Sequence, residues 1–523
     1  MKRRDFIQLG SASAAGLTFA GIPMSVFAQG MKGGVLNSAI QPEPPSLNVG
    51  THQNVPTMLV GGNIFEGLLR YDEKLQPIPC LATSWTVSPD GLTYIFKLKP
   101  NVKWHDGKPF TADDVVFSAD VFDRKGHSRA RGNLAMVQSI RTIDPLTVEF
   151  KLKTTFGAFL GIFAGNALPI VPKHVFDGAT DFVKHPGYAN YVGTGPFKFK
   201  EWVKGSYIHL VRFDDYHEKD LPLLDAIYFH VIPDAAARAN AFESGKLDVL
   251  PGGSVENFDV ARLAKLPGVA VTQKGWELFS PISHIVVNNR KAPMDSIKFR
   301  QALNLAIDRE AMRKVAWYGF ADVANGPFNS RLKFWNADLP KLARDKEQAK
   351  KLLAESGYKG ETLRLMPLPY GETWQRLAEI ARQNLADVSV KTELVPTDVA
   401  AWNSKMNEWD FDLAFTYIYG HGDPALGITR NYTTPNIAKG SPFNNAEGYS
   451  NPKVDELFDR GAAEMDPEKR RVIYWEVQKL LVAEMPVLWL HELNFPTVYR
   501  TKVNNLVNSG AGMHDSLTRT WMA

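Results

Sequence analysis

Hydrophobic and polar positions along this chain follow two periods that replace each other repeatedly. Tyr94, Phe96 and Leu98 alternate with Ile95, Lys97 and Lys99, the period of two that a half-buried strand requires. The clearest alternation spans residues 410–419, with Phe411, Leu413, Phe415, Tyr417 and Tyr419 on one face and Asp412, Ala414 and Thr416 on the other. Ile285, Val286 and Val287, and later residues 487–490 behind Pro486, read as buried strands. Between these runs the spacing lengthens to a helical one. Asp345 can cap a helix with Ala349, Leu352 and Leu353 on one stripe, closed by Gly357. Asp466 caps another, with Pro467 at its first position, Glu468 near its positive end, an apolar stripe of Ile473, Val477, Leu480 and Leu481, and Pro486 as the stop. Asp113 is expected to cap a helix burying Val116 and Phe117, and Asp295 to cap the helix after the 285–287 strand. Ser88-Pro89-Asp90-Gly91 and Trp104-His105-Asp106-Gly107 read as turns beside strands. Strands and helices interleaved throughout predict mixed α/β layers.

The first residues follow neither period. Lys2, Arg3 and Arg4 precede a mildly apolar stretch from Phe6 to Phe27 that Gly, Ser and Ala interrupt, and Val26-Phe27-Ala28 ends on a small residue. This is a cleavable leader over residues 1–28, expected to be cut near Ala28, and its paired arginines resemble a twin-arginine export signal. The expected location is the periplasm. Cys80, the single cysteine, lies far from the cleavage region, so no lipid anchor is expected; it also excludes an intrachain disulfide and a cysteine zinc site.

Charge narrows the partners. The chain carries 60 Lys+Arg against 56 Asp+Glu, and removing the leader takes away three bases and one acid, leaving a nearly neutral protein. Nucleic-acid binding calls for a clustered basic face, and no such face or polybasic membrane anchor is indicated. The roughly 495 residues beyond the leader can form more than one domain. A search for chemistry finds no GxSxG elbow, HExxH or EF-hand loop. Gly107-Lys108 and Gly245-Lys246 have Val102 and Asn240 where a phosphate-binding loop needs its first glycine, so ATP use, if any, is expected of another protein. The twelve histidines lack metal-ligand spacing; His209 and His217 read as surface or core residues. Residues 420–425 fit GxGxxA formally, but Pro424 and Gly427 favour a loop, and no cofactor is expected.

Four stretches carry a resemblance to a known family. Pro77-Ile78-Pro79-Cys80-Leu81-Ala82-Thr83-Ser84-Trp85 with Ser88-Pro89-Asp90-Gly91-Leu92-Thr93-Tyr94 runs on into residues 102–115; Gly193-Thr194-Gly195-Pro196-Phe197 with Glu201-Trp202 follows; then Arg300-Gln301-Ala302-Leu303 with Ala306-Ile307-Asp308-Arg309, and Tyr449-Ser450-Asn451-Pro452-Lys453-Val454-Asp455. In this order they are similar to family 5 of the extracellular solute-binding proteins, the receptors of dipeptide, oligopeptide and nickel importers. The resemblance implies a large, type II-like periplasmic binding protein fold of two lobes. Lobe I would take residues 31–280 plus 492–523, with an inserted subdomain near 76–190, and lobe II residues 281–491. It also implies a monomeric, non-catalytic, non-membrane-embedded receptor that passes a small-molecule ligand to the permease and ATPase of an ABC importer. An exported hydrolase, or a chaperone or signalling receptor on the same fold, are the alternatives.

Departures from the family bear on the ligand. Dipeptide-type members place an acid for the peptide's ammonium group where this chain has Gly420, and an arginine for its carboxylate where Leu368 precedes Pro369-Tyr370. Burying both peptide termini unpaired would cost several kcal/mol each, so the expectation is a small polar solute other than a free dipeptide, with a di- or oligopeptide or a metal chelate as alternatives. The expected ligand-binding residues are Tyr417, Tyr419, Gly420, His421 and Asp423, with Tyr370 and Trp402 as aromatic walls and Thr51 and His52 from the first lobe. Asp423 and His421 are expected to anchor the ligand.

Overall fold

The structure, a computed structural model, describes residues 30–126 and 128–523. The expected leader and its arginines lie outside the described residues.

Three sheets organise the chain. The seven-stranded sheet runs in the order Val269–Thr272, Thr497–Arg500, Val249–Leu250, Val35–Ile40, Ala226–Val231, Tyr207–Arg212, Phe197–Val203. Strand Val35–Ile40 is parallel to both neighbours, and the outer pairings are antiparallel. A four-stranded antiparallel sheet of Ala82–Val87, Thr93–Leu98, Thr147–Leu152 and Val137–Asp144 forms inside this stretch of chain. The six-stranded sheet takes Ala321–Val323, Val487–Leu493, Ile282–Val287, Leu413–Ile418, Leu363–Met366 and Thr392–Leu394 in that order. The chain thus passes from the seven-stranded to the six-stranded sheet after Thr272 and returns after Leu493.

The sequence patterns explain most of these elements. Strand Thr93–Leu98 buries Tyr94, Phe96 and Leu98, as its alternation predicts. Strands Ile282–Val287 and Val487–Leu493 are buried at every position, polar Ser283, His284, His491 and Glu492 included, because both lie inside the six-stranded sheet. Asp345 accepts from Gln348 N at 2.9 Å and caps helix Lys346–Glu355, and Gly357 beyond it takes φ 86°. Asp466 accepts from Glu468 N and Lys469 N and caps helix Pro467–Glu484. Two caps differ from expectation by one or two residues. Thr111, not Asp113, caps helix Ala112–Phe117, because Asp114 Oδ2 reaches back to Thr111 N at 2.9 Å and closes a capping box. Ser296, not Asp295, caps helix Ile297–Ala306, its side chain accepting from Phe299 N.

Each sheet has its own apolar core. A fully buried leucine or phenylalanine contributes about 1.5–3 kcal/mol relative to exposure, so each core is a substantial stabilising unit. The four-stranded unit is pinned to the seven-stranded one by buried Glu66, which takes hydrogen bonds from His217 Nε2 (2.8 Å), Tyr216 OH (2.8 Å) and Arg70 Nη2 (2.9 Å). His217 is therefore a buried structural histidine, while His209 stacks on Tyr228 at 4.0 Å.

Candidate functional site

Strand Leu413–Ile418 lies in the middle of the six-stranded sheet, so Ala414 and Thr416 are buried along with Leu413 and Phe415. Its C-terminal end emerges between the sheets. Tyr417 stacks on Trp374 with ring centres 5.8 Å apart, and Tyr419 meets Phe279, from the crossing segment, edge to face at 5.5 Å. The two tyrosine rings are 5.5 Å apart, and burial pushes the Tyr417 hydroxyl up to about 12, so both remain protonated hydrogen-bonding groups.

The loop then turns sharply. His421 and Gly422 adopt φ 49° and 75°, an energetically easy conformation for glycine and a strained one for histidine. Gly420 N donates to Phe279 O at 2.6 Å. A Cβ on Gly420 would stand 2.5 Å from Leu332 Cδ1, so the acid that dipeptide-type members carry here would collide with a core leucine. Asp423 is engaged by the fold. Its carboxylate accepts from Ala425 N at 3.0 Å and caps the short helix Pro424–Gly427, and both its oxygens take Arg470 guanidinium hydrogens at 2.9 Å. A bidentate pair of this kind leaves little acceptor capacity for a ligand.

His421 faces the four-stranded unit. Arg129, on helix Ser128–Asn133, has Nη1 at 2.8 Å from His421 Nε2 and 3.1 Å from Nδ1, donating to the ring nitrogen that carries no proton, and donates from Nη2 to Asn166 O at 3.1 Å. Burial, then the charges of Arg129 and Arg430, hold His421 well below the usual histidine range, so its ring is neutral and can accept. Burial and the positive charge of Arg430 likewise pull Arg129 down to about 9. A cavity between the units is lined by Arg129, Asn133, Asn166, Leu278, His421 and Leu426, among others.

The first-lobe candidates lie on the other flank of that wall. Thr51 Oγ1 contacts His52 Nδ1 at 3.0 Å and shares a hydrogen bond with Tyr188 OH, and next to them Gln53 Nε2 donates to Ala167 O at 3.5 Å, beside Asn166. Tyr370 sits half exposed at the tip of the loop after strand Leu363–Met366, with Leu368 buried beneath it. Trp402 is not brought to this place. It is 2% exposed within the core of the six-stranded unit, on helix Val399–Glu408. Sequence reasoning missed Arg129, Asn166 and Arg430, none of which stands in a recognisable pattern.

Around this cavity the units meet closely. Leu426 packs into the apolar core of the four-stranded unit, and a Cβ on Gly161 would lie 2.6 Å from its Cδ1. Gly157 N donates to Ala462 O at 2.8 Å and Thr155 Oγ1 to Ala463 O at 2.7 Å. On the far side, Glu256 Oε2 accepts from Thr373 Oγ1 at 3.0 Å. Among the described residues no group of His, Cys, Asp and Glu is arranged to hold a metal ion, and no helix is long and apolar enough to cross a membrane.

Residues 76–440 match the family model described as bacterial extracellular solute-binding proteins, family 5 middle. The chain is 30% identical over 439 residues to the glutathione-binding protein GsiB of Pectobacterium atrosepticum, covering 82% of this chain and 83% of that protein. Among solved structures it resembles the ABC transporter substrate-binding protein CtaP of Listeria monocytogenes, with a TM-score of 0.84, 26% identity and coverage of 94% of this chain and 99% of that one. It also resembles AgaA of A. tumefaciens R10 in complex with agropinic acid, with a TM-score of 0.80, 26% identity and coverage of 94% and 99%.

Proposed function

Because the chain belongs to the bacterial extracellular solute-binding proteins of family 5, we propose that it is the periplasmic receptor of an ABC importer, which encloses a small polar solute between two lobes and delivers it to the permease. The observation that carries this reading is the family match over residues 76–440, and the place where the two sides meet is marked by a small cavity with Arg129 and Asn166 on one wall and His421 and Leu426 on the other. Such a site forms only when both sides come together, and ligand binding therefore biases an open–closed equilibrium.

The two chain crossings support a division into lobe I, residues 31–280 plus 492–523 with the inserted subdomain near 76–190, and lobe II, residues 281–491. Residues 1–28 act as the export leader, and the mature protein is a monomer that turns over no substrate. Gly420 against Leu332 and the buried Leu368 leave neither terminus of a free dipeptide with its usual partner at those positions. The ligand contacts fall instead to Tyr417, Tyr419, His421 and Arg129, with Asp423 holding the loop that presents them. The named ligands of two similar proteins, glutathione and agropinic acid, are small polar solutes of the expected size class.

The test is purification of the mature protein with mass spectrometry of its co-purified small molecules, followed by titration of the identified solute against tryptophan fluorescence. Saturable, stoichiometric quenching with the solute recovered unchanged supports the receptor. Product accumulating over many turnovers refutes it.

A further inference from the structure

We infer that the closed protein is held by a clasp in which one side of the cleft supplies the caps that two helices on the other side lack; the inference rests on the receptor reading above. The ends of a helix leave backbone N–H and C=O groups without partners inside it, and something outside must satisfy them. Helix Glu372–Ala386 begins at Gly371, which has no side chain to cap it and takes φ 95°. Glu256, from the seven-stranded unit, takes that role: its Oε1 accepts from Glu372 N at 3.3 Å and its Oε2 from Thr373 Oγ1 at 3.0 Å. Glu256 stands at the start of its own helix, Asn257–Leu263, yet its side chain caps nothing there. A Cβ on Gly371 would lie 2.5 Å from Glu256 Oε1, so glycine at that position is what admits the carboxylate. The carboxylate also meets the positive end of the helix.

The second helix is completed at its opposite end. In helix Pro452–Ala463, Gly461 O is satisfied from its own side by Arg470 Nε at 2.8 Å. The next two carbonyls take donors from the segment after strand Thr147–Leu152: Gly157 N donates to Ala462 O at 2.8 Å and Thr155 Oγ1 to Ala463 O at 2.7 Å. The turn Ser88-Pro89-Asp90-Gly91 backs this contact, with Thr155 Cγ2 3.3 Å and Met465 Cε 3.5 Å from where a Cβ on Gly91 would stand. None of Glu256, Gly371, Thr155 and Gly157 lines the cavity. When the two sides part, these capping groups return to water; when they meet, both helix ends are completed. The clasp therefore sets how tightly a solute is held without deciding which solute is chosen.

Residue-resolved hydrogen exchange is measured on the mature protein as purified, with its co-purified solute, and on the same protein stripped by refolding from denaturant, with small-angle scattering on both. The Gly157 and Glu372 amides are expected to be protected in the loaded protein and to exchange roughly tenfold faster or more in the stripped one, while the amides of strand Ile282–Val287 are unchanged. Glu256→Ala is expected to release the solute about fivefold faster, as loss of a typical helix cap implies, and Glu256→Gln, which keeps an acceptor, to recover part of this. Gly157→Ala, whose Cβ would stand 2.4 Å from Glu464 O, is expected to release it faster still. None of the three should lower the urea midpoint of the stripped protein. Equal protection of both amides in the stripped and loaded protein, or unchanged release in Glu256→Ala and Gly157→Ala, would overturn the clasp. So would a lowered urea midpoint in the stripped variants, which marks the contacts as permanent. If the clasp fails in this way while loading still reduces the radius of gyration, the receptor reading stands; a radius unaltered by loading, with no solute bound, sinks both.

Discussion

Replacing Leu426 with alanine should weaken solute binding without weakening the unliganded fold. Leu426 belongs to the six-stranded side of the molecule, on the short helix capped by Asp423, yet its side chain is 8% exposed and packs in the apolar core of the four-stranded unit against Gly161. When the lobes part, that side chain returns to water. Its burial therefore contributes to closure, by about 2 kcal/mol for a leucine. Most of this is lost on truncation to alanine, so the closed form becomes less accessible and the apparent dissociation constant rises roughly 30-fold. Calorimetric titration of the co-purified solute measures the change, and urea denaturation of the unliganded variant gives the control. The reasoning is refuted if Leu426→Ala destabilises the unliganded protein by the roughly 2–5 kcal/mol typical of a permanent core position while affinity is unchanged. The contact would then be static.

Three further outcomes are expected. Asp423→Ala leaves the buried Arg470 guanidinium without its bidentate partner, so it should destabilise the protein by about 3–5 kcal/mol in urea denaturation; reduced affinity at unchanged stability would instead make Asp423 a ligand anchor. Burial lifts the Glu447 carboxyl to about 8, with backbone hydrogen bonding and Arg290 only partly offsetting it, so the folded state holds this proton more tightly than the unfolded state. Its stabilising contribution is complete below the ordinary carboxylate range and is lost as pH rises toward 8, by at most about 1.4 kcal/mol per pH unit, and Glu447→Gln should flatten that slope in denaturation curves between pH 5 and 8. Changing Arg3 and Arg4 to lysine keeps the charge of the leader and should sharply reduce periplasmic delivery, read by cell fractionation; undiminished delivery would favour the general secretory route.

The elements legible in the sequence are those whose cause is local. Asp345 and Asp466 announce their helices because a cap, a first-turn residue and an apolar stripe lie within a few positions of each other. The displaced caps at Thr111 and Ser296 show the resolution of such reading: adjacent residues offer the same chemistry, and a reciprocal bond from Asp114 decides between them. The loop at residues 419–423 is legible through the strand that leads into it, because Tyr417 and Tyr419 continue the alternation beyond the buried part of the sheet. Arg129 was not, since 292 positions separate it from His421 and only the packing of two units makes them neighbours. Trp402 and Asp423 were assigned to a ligand for their side-chain chemistry, but the fold supplies each with surroundings that no spacing reveals: a core for the indole, and Arg470, 47 positions away, for the carboxylate.

Strand Thr497–Arg500 lies between Val249–Leu250 and Val269–Thr272 and pairs with both. During synthesis, a nascent chain that has reached Thr272 holds two strands with a vacancy between them, and the strand that fills it emerges only after the whole six-stranded unit. The sheet begun first is therefore finished last. A chain ending before Thr497 lacks more than its tail: it leaves the first sheet divided, with backbone hydrogen-bonding edges exposed on both sides of the gap. Release of a competent molecule is thus tied to completion of translation, and a quality check that senses open sheet edges would register truncation anywhere before this strand.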